Sequence, residues 1–145
     1  MMDASPMKLF CSVLAVCVLA GTACGDGGNS TPNFIQPTPQ MVTENFTGTV
    51  AVGGSDTHTF NAASSGQLNV TMTSAGPPPT IFMGIAVGTP SGATCTILTN
   101  GSVVAPAGTT AQLSGTISAG SYCVSVSDVG NATGPVNYAL TVTHF

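Results

Sequence analysis

Very few side chains in this 145-residue chain can do chemistry, and their spacing limits what kind. Beyond residue 23 the candidates are Cys24, Cys95 and Cys123, the imidazoles of His58 and His144, and the carboxylates of Asp26, Glu44, Asp56 and Asp128. Catalysis by a side-chain nucleophile needs a base beside it, and acid–base hydrolysis needs two carboxylates across one cleft. Here no serine stands in a nucleophile elbow, no glycine-rich loop runs into a lysine, and no two carboxylates are paired. We therefore expect no catalytic residue. A metal centre on His58 and His144 would need their strands to adjoin and further ligands to join them. Calcium would need several oxygens in one loop, whereas Asp56 and Asp128 each stand alone. Neither a metal site nor a cofactor is expected. Asp128-Val129-Gly130-Asn131 reads instead as turn chemistry, in which Asp and Asn bond their own backbone.

Cys24 is a different case. Lys8 precedes an apolar run, Leu9 to Ala20, and small residues at Gly21 and Ala23 lead to Cys24. A positive start, a short hydrophobic stretch and small residues at a cut point make residues 1–23 an export signal. The run falls short of the roughly 20 apolar residues that span a bilayer. Cys24 is then either the first residue of a secreted protein or an acylated cysteine. Leu19-Ala20-Gly21-Thr22-Ala23-Cys24 resembles the lipobox of bacterial lipoproteins, with Gly21 where that pattern carries Leu. Gly25-Asp26-Gly27-Gly28-Asn29-Ser30 is the kind of flexible tether that follows a lipidated cysteine. Exported cysteines in even number ordinarily bridge, so Cys95 and Cys123 are expected to form a disulfide worth ~3–4 kcal/mol in the chain-entropy model. That pairing leaves Cys24 as an odd thiol in an oxidising compartment, an anomaly that acylation removes. The expected lipid-attachment site is Cys24, the expected location the cell envelope, and the expected membrane contact the lipid itself. Free secretion is the alternative.

Charge narrows the partners. Lys8 is the only Lys or Arg, and the formal net charge is −4. Phosphate binding needs cations to displace counterions, so nucleic acid is excluded as a partner. Anionic lipid surfaces are unattractive for the same reason. An envelope polysaccharide or protein ligand stays open. Carbohydrate sites present exposed aromatic rings, and Trp is absent. Phe46, Phe60, Tyr122 and Tyr138 share the alternation of the core residues of their strands, which leaves Phe82 and Phe145 as aromatic candidates in the folded part.

The elements that must position these groups are strands. Residues 24–41, the anchor cysteine and a Gly/Pro-rich linker, precede a domain at 42–145 where Thr, Val, Ser and Gly dominate in short runs. Period-two alternation recurs, the mark of a strand with one buried face. It sets Phe46, Gly48, Val50 and Val52 on one side, then Asp56, His58 and Phe60, then Leu68, Val70 and Met72. Ile81, Met83, Ile85 and Val87 make the most apolar strand, expected to be central. Ala93–Leu98 and Ser102–Ala105 are less distinct, and Ala111 and Leu113 open a shorter strand toward Ile117. Tyr122, Val124 and Val126, then Val136, Tyr138, Leu140 and Val142, complete the set, with Cys123 off the core face and bridging neighbouring strands. The expected fold is all-β: an antiparallel two-sheet β-sandwich, jelly-roll-like, of about eight strands.

The order of these signals resembles the bacterial pre-peptidase C-terminal domain. Phe46-Thr47-Gly48-Thr49-Val50 is similar to its opening strand, and Asp56-Thr57-His58-Thr59-Phe60 to its Asp-x-aromatic-x-Phe strand, with His58 at the aromatic position. Gly66-Gln67-Leu68-Asn69-Val70-Thr71-Met72 is similar to the third strand. Ile117-Ser118-Ala119-Gly120-Ser121-Tyr122-Cys123-Val124-Ser125-Val126, followed by Tyr138-Ala139-Leu140-Thr141-Val142, is the strongest correspondence. Pro79-Thr80 stand where relatives often carry acids before the fourth strand, which weakens a calcium role taken from relatives; a calcium-stabilised domain stays the third alternative. The resemblance implies a β-sandwich accessory module without catalysis, one that in some relatives serves substrate or surface binding, so the expected role is binding or structural.

Overall fold

The computed structural model describes residues 37–145; the segment read above as an export signal and Cys24 lie outside the described residues. Eight strands follow one another: β1 (Val42–Val50), β2 (Ser55–Ala62), β3 (Gly66–Gly76), β4 (Phe82–Ser91), β5 (Thr94–Pro106), β6 (Leu113–Ile117), β7 (Gly120–Asp128) and β8 (Val136–His144). They form two four-stranded sheets, β1-β8-β3-β6 and β2-β7-β4-β5, with every pairing antiparallel. The chain crosses from one sheet to the other at every connection except the β4–β5 hairpin. That is a β-sandwich with jelly-roll strand order.

Alternation builds the core. In β8, Val136, Tyr138, Leu140, Val142 and His144 are buried while the residues between them are more open. In β4, Met83, Ile85 and Val87 point inward, and Phe82 points out. Together with Val50, Phe60, Leu68, Val70, Met72, Ile117, Tyr122, Val124 and Val126 they form one continuous apolar layer between the sheets. Fully burying a side chain of this size is worth about 1.5–3 kcal/mol. In a chain this poor in charge, that burial carries the fold. β4 is an interior strand, as its apolar run predicts.

Three local expectations are corrected. β1 ends at Val50, because Gly54 N–H bonds the Ala51 carbonyl (2.8 Å) and Gly53 takes a left-handed φ of 68°. The turn throws Val52 outward, 57% exposed. The two indistinct stretches after Ala93 are one 13-residue strand, β5, interrupted where the pairing jumps from Ala86↔Ser102 to Gly88↔Ile97. Leu98–Gly101 therefore bulge opposite Val87, with Asn100 left-handed at φ 60°. The broken alternation across the bulge is why the sequence pattern fades there.

The third correction concerns the sulfur bridge. Cys95 and Cys123 are joined, with Cα atoms 5.9 Å apart. They are not on neighbouring strands: β4 lies between β5 and β7. The bridge crosses the outer side of β4 at Gly88, where an added Cβ would stand 2.9 Å from Cys95 Sγ and run into the Thr96 backbone. Cys123 lies off the core face, as its parity requires, yet it is fully buried beneath this crossing.

Candidate functional site

The groups capable of chemistry collect at two places, and a third place is a recess that holds none of them. The first is the open seam where β1 of one sheet meets β2 of the other. Alternation on β2 points Asp56, His58 and Phe60 into this seam, and alternation on β8 brings Tyr138 and His144 to it. The Tyr138 hydroxyl donates to Asp56 Oδ2 (2.8 Å) and lies 2.7 Å from His58 Nε2. Because its single proton goes to Asp56, His58 must donate from Nε2–H to the tyrosine oxygen. Phe46 stacks on the His58 ring, with centroids 4.8 Å apart. Gly48 makes the arrangement fit, since a Cβ there would overlap the Asp56 carboxylate and the Tyr138 hydroxyl. Burial, joined by the hydrogen bond and negative charge of Asp56, pushes the Tyr138 hydroxyl far above the ordinary phenol range.

Further along the same seam, His144 is only 2% exposed and its Nε2 lies 3.0 Å from Glu44 Oε1. Phe60 packs beside it, centroids 5.1 Å apart, and on Tyr122 at 5.7 Å. Both histidines thus share the core alternation of their strands. His144 is fully enclosed; His58 is half-buried. Each is tied to a carboxylate from another strand or another position of its own. Among the described residues no group of three His, Cys, Asp or Glu side chains converges to hold a metal.

The second place is Asp128, at the end of β7. Its carboxylate accepts from the main-chain N–H groups of Gly53 (2.8 Å), Gly130 (2.9 Å), Asn131 (3.1 Å) and Ala132 (3.1 Å). The Gly53 bond, most of all, holds this carboxyl below the ordinary Asp range against an opposing desolvation, with the Ala132, Gly130 and Asn131 bonds adding to it. The turn chemistry read from Asp128-Val129-Gly130-Asn131 is present, and it does more than close a turn. It pins the β1–β2 turn to the loop after β7, while Asn131 Nδ2 donates to the Phe82 carbonyl at 3.1 Å.

The third place lies on the outer side of the β2-β7-β4-β5 sheet and carries no ionisable group. Gly84 and Ala86 of β4 form the floor of a trough of about 340 Å³, flanked by Ser102 and Val104 of β5 and by Ser127 and Val129. Gly84 is needed there because Ser127 Oγ leans over it, and an added Cβ would collide with that hydroxyl. Phe82 precedes Gly84 by two residues on the same side of β4 and is 50% exposed. Phe145, the other aromatic candidate, is half-buried against Gly66. The sequence named Phe82 but offered no sign of the trough, whose walls come from β5 and β7. A scan against protein-family models finds no match to this chain, and a search of curated proteins finds none.

Proposed function

We propose that this chain is an exported, lipid-anchored, non-enzymatic module of the bacterial cell envelope, akin to pre-peptidase C-terminal sandwiches, whose role is binding. One observation carries the reading: each reactive group in the described domain is already committed to holding the fold. Cys95 and Cys123 are bridged, Tyr138 and His58 are locked with Asp56, His144 is bonded to Glu44, and the Asp128 carboxylate is filled by four amides. What the domain presents to a partner is the neutral outer face around Phe82. The tether Gly25 to Gln36, twelve residues, reaches about 40 Å at most. An acylated Cys24 would therefore hold the start of the domain within about that distance of its membrane.

The anchoring half is tested by growing expressing cells with labelled palmitate. Label in the intact protein, lost in Cys24→Ala, supports it; an unlabelled intact protein in the soluble exported fraction rejects it in favour of free secretion. Calcium stabilisation is the weaker reading, because the Asp128 oxygens are occupied by amides. A rise in melting temperature with calcium that disappears in Asp56→Asn or Asp128→Asn would restore it.

A further inference from the structure

Resting on that binding role, we propose that the trough beside Phe82 is a subsite for a neutral polysaccharide. Charge decides the class of ligand. Phe82, Gly84, Ala86, Ser102, Val104, Ser127 and Val129 include no ionisable side chain, and the described domain has no Lys or Arg anywhere. The nearest carboxylate, Asp128, is spent on four amide bonds. A polyanion such as a phosphate- or carboxylate-bearing polymer therefore gains nothing here and is repelled by the net charge of −4. A polycation finds no partner carboxylate in the trough.

A neutral sugar chain matches each feature that is present. A pyranose has an apolar C–H face and a rim of hydroxyls. The exposed Phe82 ring offers a surface for that face, and Val104 and Val129 extend the apolar walls. Among the described residues the Ser102 and Ser127 hydroxyls make no side-chain hydrogen bond, so both are free to exchange bonds with sugar hydroxyls. Such a site is mostly apolar with a few placed polar groups. Asn131 also bonds the Phe82 carbonyl, which ties the loop after β7 to the strand that carries the ring.

The test is affinity electrophoresis of the full chain, both detergent-solubilised and as the Cys24→Ala variant. The gels contain soluble starch, mixed-linkage β-glucan or galactomannan as neutral polymers, and polygalacturonate as the anionic one. At least one neutral polymer should retard the protein, with little change in 0.5 M salt. Phe82→Ala should weaken that retardation at least 10-fold, Phe82→Trp should keep it, and Val104→Asp should abolish it. Phe82 and Val104 are exposed, so unchanged melting temperatures verify that the variants fold. The proposal is overturned if no neutral polymer retards the protein, if Phe82→Ala is retarded like the wild type, or if only polygalacturonate binds. Retention of a protein ligand through Phe82 would overturn the sugar class and leave the binding role standing. Absence of palmitate label from the intact protein would reject the anchor and leave this proposal untouched.

Discussion

Replacing Tyr138 by Phe removes one oxygen and nothing else, so it isolates the polar clasp across the β1–β2 seam. That oxygen donates to Asp56 at 2.8 Å and receives from His58 at 2.7 Å. Each intramolecular hydrogen bond contributes about 1 kcal/mol net, so losing two costs about 2 kcal/mol. The cost stays near that figure because the stranded partners reach water: the His58 and Asp56 side chains are 24% and 34% exposed. For a domain of this size the loss corresponds to a fall in Tm of roughly 8–10 °C. Urea denaturation with the disulfide intact measures it, and a cycle with Asp56→Asn should return a coupling of about 1 kcal/mol. The variant also changes the alkaline limb. Folding raises the Tyr138 pKa, first through burial and then through Asp56. The neutral phenol therefore stabilises fully below the unfolded value of about 10, and that contribution is lost as pH rises from there toward the folded one. Wild type should lose stability above pH ~10 more steeply than Tyr138→Phe. A loss below about 0.5 kcal/mol, or alkaline limbs of equal slope, refutes the clasp as a stabilising device.

Other outcomes follow from the same structure. Folding lowers the Asp128 pKa, so its contribution is complete above the unfolded value of about 3.9 and is lost as pH falls through the folded one; Asp128→Asn should flatten the acid limb of a stability–pH curve below pH ~4. Reducing Cys95–Cys123, which closes a sequence separation of 28, should cost about 3.5 kcal/mol by the chain-entropy relation, read as a shifted urea midpoint. Ile85→Ala, at a fully buried site in β4, should cost about 3 kcal/mol, whereas exposed Val104→Ala should stay within about 0.5 kcal/mol. The edge strand β5 has no charged residue to discourage pairing with another copy. Light scattering should therefore show self-association as pH falls toward 4.3, and a monodisperse protein at that pH would contradict it.

The sequence by itself determined the class of fold, because the two-residue period of a half-buried strand is written locally. Val136, Tyr138, Leu140 and Val142 announce their face without reference to any other strand, and so do Met83, Ile85 and Val87. It also pointed to Cys95 and Cys123 as partners, since they are the two cysteines of residues 42–145. Period failed wherever the chain leaves the regular pleat. Val52 keeps the parity of Val50 but sits past the end of β1, and β5 breaks its alternation at the Leu98–Gly101 bulge. Only the tertiary structure decided which strands are neighbours. That choice carries the disulfide over Gly88 and brings Asp56 and His58 from β2 to Tyr138 of β8. It also sets β5 and β7 on either side of Gly84 to make a trough beside Phe82. Side-chain direction is fixed by the residue's own backbone, whereas adjacency is fixed by how eight strands share one apolar layer, and no short stretch of sequence encodes that sum.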